Sequence, residues 1–242
     1  MSLFPYLGEK TKFSNFIIPN IPSNISTYVE PFGGSFGIFF SLNLDEYDNV
    51  NFVYNDINYL NYNLFNQLKK NNNFIDFVVN TKVDEEFYKN SLSVINYEKD
   101  DILLALNWLI VLTCSSPYEI GKESWIGSGK FEMFKIKYNN YKYKIDKINH
   151  IHNIDYRKII DKYDSPDTLF YLDPPYKGKE KYYINHTFDT DSHLELSEIL
   201  NNIQGRFILS YYYFDGLREL YPGFRFESKK TIMGTEWIIM NF

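Results

Sequence analysis

The spacing of apolar and polar residues predicts a protein built on a parallel α/β sheet. Apolar runs bounded by turn residues predict strands at 27–32 and 51–56, with an apolar helix between them that extends to about Leu44. After the second strand, apolar residues recur at helical spacing: Leu60, Leu64, Phe65 and Leu68. An alternation of strands and helices in this order is typical of the start of a parallel sheet.

The middle of the chain has a different pattern. Residues 57–118 show helical periodicity and no clear strand. In the next segment, 119–147, Gly121, Gly127 and Gly129 separate short aromatic and lysine-rich stretches, which predicts a hairpin or mobile loops. We therefore expect a mostly helical insertion at 57–147.

Strand patterns return in the last third of the chain. They lie at 168–173, 206–210, 224–231 and 236–242, with a helix between Ser192 and Ile203. The simplest interpretation is one α/β sheet domain, formed by 1–56 and 148–242, that the insertion interrupts.

Composition agrees with one large domain, or one domain with a smaller insertion. Hydrophobic residues make up 44% of the 242 residues, enough for a sizeable core, and aromatic residues make up 19%. Abundant Tyr, Phe, Asn, Ile and Lys are typical of an AT-rich genome, such as that of a virus, a phage or a low-GC bacterium. The net charge of −6 argues against a protein that coats nucleic acid non-specifically.

Cysteine and histidine usage points away from a metal site. The single cysteine, Cys114, excludes an intrachain disulfide and a cysteine metal site, and it fits a buried thiol. The histidines lack metal-ligand spacing: His150, His152, His186 and His193. The first residues do not resemble a signal peptide, and the longest apolar stretch, 102–114, is too short to cross a bilayer. We expect a soluble, cytoplasmic protein.

The ends of the first two predicted strands carry candidate ligand-binding residues. Glu30-Pro31-Phe32-Gly33-Gly34-Ser35 follows the first strand, and its glycines permit a tight turn that approaches a ligand closely. Asp56 ends the second strand, where an acidic side chain can accept hydrogen bonds from ribose hydroxyls. Gly-Gly-Ser also forms ordinary turns, and Asp56 could instead cap the following helix. Together these residues suggest a nucleoside-containing cofactor, either a dinucleotide or S-adenosylmethionine.

A third strand end carries the most specific motif, Asp173-Pro174-Pro175-Tyr176. The prolines stiffen the turn and have no N–H, so their carbonyls are available as acceptors. The Asp173 carboxylate and the Pro174 carbonyl could both accept hydrogen bonds from an aryl amine, which favours a pyramidal nitrogen with its lone pair directed at a methyl donor. Tyr176 offers a flat face on which an extruded base could stack. The alternative is a proline-rich turn with an incidental Asp.

With these motifs the chain resembles the Dam family of adenine-N6 DNA methyltransferases over nearly its whole length. Residues 28–34 are similar to the family's cofactor-binding glycine motif, and 55–58 match the motif whose Asp holds the cofactor ribose. Asp155 and Tyr156 resemble the pair that grips the cofactor's adenine.

The N-terminal segment also resembles the family, with two differences along the chain. Tyr6 and Lys10 occupy cofactor-contacting positions, although Glu9 replaces a glycine. Phe36 stands where the family often has the last glycine of its motif. The loop beside the methionine end of the cofactor is therefore expected to differ.

The resemblance implies a Rossmann-like, S-adenosylmethionine-dependent methyltransferase with an inserted DNA-recognition domain. It implies catalytic roles for Asp173, Pro174, Pro175 and Tyr176, and cofactor binding by Tyr6, Lys10, Glu30, Pro31, Phe32, Gly33, Gly34, Ser35, Asp56, Asp155 and Tyr156. The glycine motif precedes the Asp-Pro-Pro-Tyr motif, with the insertion between them. This order resembles the alpha arrangement of amino-methyltransferases, which favours adenine N6 over cytosine N4.

The insertion is the expected DNA-reading part. Residues 120–150 contain seven lysines and three acidic residues, a net of +4 in a chain of −6. The DNA-binding candidates are Lys122, Trp125, Lys130 and Lys135. Lysine-rich loops are often only solvated, so each of these residues needs its own test. Residues 177–186 are a candidate lid over the flipped base.

Other functions are compatible with the same motifs. An RNA adenine methyltransferase could share every motif, and a non-catalytic nucleic-acid-binding partner could share the fold. The intact Asp-Pro-Pro-Tyr motif argues against such a partner. A glutamine-N5 methyltransferase would be expected to carry Asn at the position of Asp173. We expect double-stranded DNA as the partner, no metal, and a monomer or weak dimer.

Overall fold

The computed structural model describes residues 3–116, 119–177, 188–231 and 234–242. The chain forms two compact units. The sheet unit comprises 13–33, 42–57 and 152–242, and the helical unit comprises the N-terminal residues to Lys12 together with 34–41 and 58–151.

A seven-stranded sheet is the main feature of the described residues. Its strands are β1 (Thr27–Glu30), β2 (Asn51–Asn55), β3 (Ile148–His152), β4 (Thr168–Leu172), β5 (Arg206–Tyr212), β6 (Arg225–Thr231) and β7 (Gly234–Met240), in the order β3-β2-β1-β4-β5-β7-β6. The pairs β1/β2, β1/β4 and β4/β5 are parallel, which confirms the predicted parallel sheet. The last two strands form an antiparallel hairpin, and β7 pairs antiparallel with β5.

The central strands are apolar because both faces of a parallel sheet are covered. Every residue of β4 is buried. On one face the strand residues Val29, Phe170 and Leu209 belong to a core that also includes side chains from the helices α7 (Tyr156–Tyr163) and α8 (Thr190–Asn202). Asp155 caps α7 and Asp189 caps α8, each through a side-chain oxygen that accepts a backbone N–H. Two single-turn helices, α1 (Ser14–Ile17) and α9 (Leu217–Leu220), complete this unit.

The helical unit is organised around one largely apolar helix. Its helices are α2 (Tyr59–Lys70), α3 (Asn72–Asn80), α4 (Glu85–Val94), α5 (Asp101–Cys114) and α6 (Gly129–Lys147). From Leu104 onward α5 is buried on all sides, and it packs against α2, α4 and α6. The helical prediction for 57–118 is confirmed by α2 to α5, and residues 117 and 118 lie outside the described ranges. Burial raises the pKa of the Cys114 thiol to about 11, as expected of a structural cysteine.

The prediction of a helix between β1 and β2 was wrong. Residues 33–50, all of them described, contain only single 3-10 turns at Phe39–Ser41 and Leu44–Glu46. Phe36 has a φ of 55°, a left-handed conformation that an α-helix does not contain. The apolar side chains of this segment pack on one another, and the rings of Phe36 and Phe39 stack 4.4 Å apart. Their burial therefore reflects an aromatic cluster and not a helix face.

One further prediction needs correction, and one strand was not predicted. The hairpin or loops expected at 119–147 are limited to 119–128, because α6 begins at Gly129 and buries a helical face that includes Phe131, Phe134 and Tyr138. Strand β3 was missed, because Asn149 and His150 are exposed on this edge strand and interrupt its apolar pattern.

Within the described ranges, no helix has both the length and the apolar character needed to span a bilayer.

Candidate active site

Two adjacent strands of the sheet unit bring the main motifs to one edge of the sheet. β1 and β4 run parallel, with Val29 opposite Phe170, and end at Glu30 and Leu172. The strand order reverses between them, because β1 pairs with β2 on its other side and β4 pairs with β5. In open α/β sheets, ligands bind beyond the carboxyl ends of the strands at such a reversal. The glycine turn after β1 and the Asp-Pro-Pro-Tyr motif after β4 therefore start side by side.

The Asp-Pro-Pro-Tyr motif follows directly after the last residue of β4. Asp173 is partly exposed, Pro174 is buried, and Tyr176 is 7% exposed. The Tyr176 hydroxyl donates a 2.6 Å hydrogen bond to Oε1 of Glu236, which lies on β7 and is 1% exposed. Burial, followed by the charges of Asp173 and Glu236, raises the pKa of Tyr176 well above its usual value. The phenol therefore stays protonated and remains a hydrogen-bond donor.

Aromatic residues at the end of β5 flank Tyr176. The ring of Tyr212 lies 4.6 Å and that of Tyr211 5.7 Å from the Tyr176 ring, centroid to centroid. These two tyrosines and Glu236 were not identified from the sequence. Tyr211 and Tyr212 could have been noticed as aromatic residues at a fourth strand end, whereas Glu236 carries no local motif.

Gly33, the first of the two adjacent glycines after β1, is required by packing. The Gly33 N–H donates to the Asn55 carbonyl, 2.8 Å away. A Cβ at Gly33 would overlap the ring of Tyr54 and lie 2.9 Å from the Asn55 carbonyl oxygen. Only glycine lets the turn after β1 pack this closely on β2.

Asn55 ties three segments of the sheet unit together. Its side-chain amide donates to the carbonyls of Pro31 (2.8 Å) and Ile154 (3.0 Å), and its Oδ1 accepts the backbone N–H of Ile154 (3.1 Å). Asn55 is fully buried. It therefore fixes the loop that carries Pro31 and Phe32 relative to the loop that carries Asp155.

Asp56 is a buried carboxylate beside this asparagine. It is 8% exposed, and its Oδ2 accepts a long hydrogen bond (3.5 Å) from the Tyr54 hydroxyl. The alternative role as a helix cap does not apply, because Asn58 is the N-cap of α2 and accepts the N–H of Leu60 at 3.0 Å. This position and burial agree with a ligand-binding carboxylate.

Asp155, another acidic cofactor candidate, has a structural role. Asp155 accepts the backbone N–H of Arg157 (2.9 Å) as the N-cap of α7 and pairs with the Arg157 guanidinium (3.1 Å). Tyr156 packs its ring against Phe32, 5.3 Å away, and against Phe188, 5.6 Å away. Burial raises the pKa of Tyr156 to about 12, so its side chain is neutral. The rings of Phe32, Tyr156 and Phe188 thus form an aromatic surface at the turn that follows β1.

Apart from Glu30 at the end of β1, the remaining cofactor candidates lie in the helical unit. Tyr6 accepts a 2.8 Å hydrogen bond from Asn61, which in turn accepts one from the indole of Trp108 at 2.9 Å. A Cβ on Gly34, whose φ is 48°, would lie 3.0 Å from the Tyr6 ring. Lys10 is 5% exposed and its ammonium donates to the Gly8 carbonyl. Ser35 is also buried.

The DNA-binding candidates differ in how their side chains are engaged. Lys122 and Lys130 are exposed. Lys135 has a side chain only 13% exposed, and its ammonium donates to the Thr81 carbonyl (2.8 Å) and pairs with Glu132 (3.0 Å).

The loop that carries Lys122 and Trp125 is fixed by a buried tyrosine. The Tyr88 hydroxyl donates to the Lys122 carbonyl at 2.8 Å and accepts the Ser124 N–H at 3.2 Å. The ring of Trp125 lies 5.4 Å from that of Tyr88. Of the candidate lid at 177–186, only Lys177 lies among the described residues, and its ammonium is 4.8 Å from the Phe214 ring. No cluster of potential metal ligands occurs in the described parts of the chain.

Comparisons with known proteins agree with this arrangement. A protein-family model described as "D12 class N6 adenine-specific DNA methyltransferase" matches residues 6–235. A more distant similarity is to the Type II methyltransferase M.CviBI of Paramecium bursaria Chlorella virus NC1A, which is 24% identical over 234 residues, covering 90% of this chain and 85% of the viral protein. The family match includes both the strand-end motifs and the helical unit. The chain therefore belongs to the D12 class of N6 adenine-specific DNA methyltransferases.

Proposed function

We propose that this adenine methyltransferase takes its methyl group from S-adenosylmethionine and acts on an adenine extruded from duplex DNA. The observation that carries the proposal is the placement of the glycine turn and the Asp-Pro-Pro-Tyr motif at adjacent carboxyl ends, where the strand order reverses. The description of the viral relative as a Type II methyltransferase supports modification at a specific sequence.

The residues at this edge fit the cofactor. Asp56 is a buried carboxylate at the end of β2, suited to ribose hydroxyls. Phe32 and Tyr156 supply flat apolar surfaces suited to an adenine ring. The same assignment gives cofactor contacts to Glu30, Pro31, Gly33, Gly34, Ser35, Asp155, Tyr6 and Lys10. When bound, S-adenosylmethionine would supply an activated methyl group on a sulfonium. The N6 amine would take it directly, without a covalent enzyme intermediate, as the S–CH3 bond breaks to leave a neutral thioether, and the amine would lose one proton.

The Asp-Pro-Pro-Tyr motif prepares the amine. The lone pair of adenine N6 is delocalised into the ring, so the amine is a poor nucleophile. In this proposal the Asp173 carboxylate and the Pro174 carbonyl accept hydrogen bonds from the two N–H groups, which favours a pyramidal nitrogen. Pro175 stiffens the turn, and Tyr176 stacks on the base.

The helical unit supplies the DNA contacts in this proposal. Lys122 and Lys130 are exposed cations suited to phosphates, and Trp125 lies on the loop between them. Lys135 contributes to DNA binding indirectly, by stabilising the position of α6, because its ammonium is held by Thr81 and Glu132. We expect action in the cytoplasm of a bacterium, or of a host cell if the protein is viral, as a monomer or weak dimer.

The direct test is incubation of the protein with labelled S-adenosylmethionine and unmethylated duplex DNA, followed by sequencing that detects N6-methyladenine. We expect label in adenine at one sequence in duplex DNA and none in matched RNA oligonucleotides. Label in RNA alone would identify an RNA methyltransferase instead. Binding of S-adenosylmethionine without methylation of any DNA would contradict the proposal.

Asp173→Ala tests the mechanism. We expect the methylation rate to fall by at least about 100-fold while cofactor affinity, measured by calorimetry, changes little. Asp161→Ala, at an exposed position on α7, is the matched control and should leave the rate unchanged. Full activity of Asp173→Ala would overturn the assigned role.

A further inference from the structure

Glu236 is a buried carboxylate to which the proposed chemistry gives no role. It lies on β7, directly opposite Tyr212 of β5, and only 1% of its surface is exposed. A buried charged or polar group is costly unless a partner compensates for its lost hydration. Oε1 of Glu236 accepts the 2.6 Å hydrogen bond from the Tyr176 hydroxyl, so part of that compensation comes from the tyrosine of the Asp-Pro-Pro-Tyr motif.

This hydrogen bond holds the far end of a side chain whose near end is already fixed. The backbone of Tyr176 follows two prolines, and its ring lies beside Tyr211 and Tyr212. Rotation about the Cα–Cβ bond would carry the hydroxyl away from Glu236 and break a short hydrogen bond to a carboxylate, which is a strong type. The direction of the Tyr176 ring face is therefore set by three strand ends: β4, β5 and β7.

We propose that Glu236 is a positioning residue that fixes the Tyr176 ring and thereby orients the extruded adenine against Asp173. This inference rests on the proposed stacking role of Tyr176. Stacking restricts the plane of the base, and Asp173 can hold the amine only if that plane is correct. Loss of the Glu236 contact should therefore slow methyl transfer more than it weakens binding of DNA or cofactor, because small misplacements in an active site reduce the rate strongly.

Three variants separate this role from a purely structural one. Tyr176→Phe removes the hydroxyl and keeps the stacking ring. Glu236→Gln keeps an oxygen that can accept the hydrogen bond, and Glu236→Ala removes it. Glu227→Gln, on the neighbouring strand β6, is the control for a lost carboxylate on the same hairpin, since Glu227 pairs with the nearby Arg225.

The measurements are kcat and KM on duplex DNA, cofactor affinity, thermal unfolding, and fluorescence of 2-aminopurine at the target position. For Tyr176→Phe and Glu236→Ala we expect kcat to fall roughly 10- to 100-fold with little change in KM, and altered 2-aminopurine fluorescence. Glu236→Gln should restore most of the lost kcat, and Glu227→Gln should match the native protein. The double variant Tyr176→Phe/Glu236→Ala should be no slower than either single variant, because all three lack the same contact.

The outcomes distinguish this inference from the proposed function. Native protein that methylates no DNA would refute the function. If the native protein is active and Tyr176→Phe keeps full kcat, the positioning role is refuted while the proposed function stands. Additive losses of kcat in the double variant would lead to the same conclusion. If Glu236→Ala does not fold, Tyr176→Phe and Glu236→Gln decide: a slow Tyr176→Phe with a near-native Glu236→Gln supports the role, and any other combination overturns it.

Discussion

Gly33 illustrates how packing can require one residue type at a proposed binding site. Its missing Cβ lets the turn after β1 lie against Tyr54 and Asn55 of β2. The backbone of that turn continues directly into Gly34, whose positive φ suits glycine. A side chain at Gly33 would force β2 and the turn apart at the edge where the cofactor is proposed to bind.

We expect Gly33→Ala to destabilise the protein by about 1–3 kcal/mol, because the added methyl group would overlap the Tyr54 ring. Cofactor affinity should fall as well. Denaturant unfolding and calorimetry measure the two effects. Gly129→Ala is the matched control, since a Cβ there, at the start of α6, meets open space and should be neutral or slightly stabilising. Equal stability of the two variants would show that the turn yields without cost.

Asn55 should contribute strongly to the stability of the protein. Asn55→Ala removes two donated hydrogen bonds and one accepted one, and takes the amide donor away from the buried carbonyl of Pro31 and the partly buried carbonyl of Ile154. We expect a loss of about 2–4 kcal/mol in the free energy of unfolding. Asn202→Ala, at an exposed position on α8, should change it by less than about 0.5 kcal/mol. A loss at Asn55 no greater than at Asn202 would contradict its role as a tie between loops.

These residues also show what a sequence can and cannot indicate about a site. Asp173 and Tyr176 belong to one local motif, and their position after an apolar strand is visible in the chain itself. Glu236 meets Tyr176 only because β7 turns back beside β5, and no local pattern encodes that pairing. The bonds made by Asn55 depend in the same way on the parallel arrangement of the strands.

At the scale of elements, the apolar pattern predicted the buried strands and the helices α2 to α5 well. It failed where apolar residues pack without regular structure, as in the aromatic cluster around Phe36, and where an edge strand is polar, as in β3. It also failed at α6, because Gly129 looks like a loop residue although it only begins the helix. Periodicity reports burial on one face. The aromatic cluster is buried without such a face, and β3 is hardly buried, whereas α6 has a buried helical face that the flanking glycines obscured.

The start of α7 allows capping and cofactor binding to be separated. In Asp155→Asn the amide oxygen can still accept the Arg157 N–H, so the free energy of unfolding should change by less than about 1 kcal/mol. If the carboxylate also grips the cofactor, affinity for S-adenosylmethionine should fall about tenfold, the loss expected for one charged hydrogen bond. Unfolding and calorimetry on the same samples give both values. Unchanged affinity would restrict Asp155 to its capping role.

At the scale of the whole molecule, charge is distributed unevenly. The chain has a net charge of −6, yet residues 120–150 carry +4. Neutralising phosphates releases counterions, so DNA affinity should fall steeply with salt if this segment binds the backbone. The overall negative charge disfavours binding elsewhere on the protein and thus favours contacts through a defined surface.

Lys122→Gln and Lys130→Gln test that surface, with Lys135→Gln as the matched lysine. Each of the first two should weaken DNA binding and reduce the salt slope of log affinity by about one, because an exposed ammonium contacts one phosphate. Lys135 instead holds Thr81 and Glu132, so Lys135→Gln should mainly lower the unfolding temperature. Fluorescence anisotropy at several salt concentrations, alongside thermal unfolding, distinguishes the two classes. Equal salt slopes in the native protein and in the double variant Lys122→Gln/Lys130→Gln would place the phosphate contacts on other residues. A segment that binds DNA electrostatically releases fewer counterions once it has lost two exposed cations, so its salt slope must become smaller.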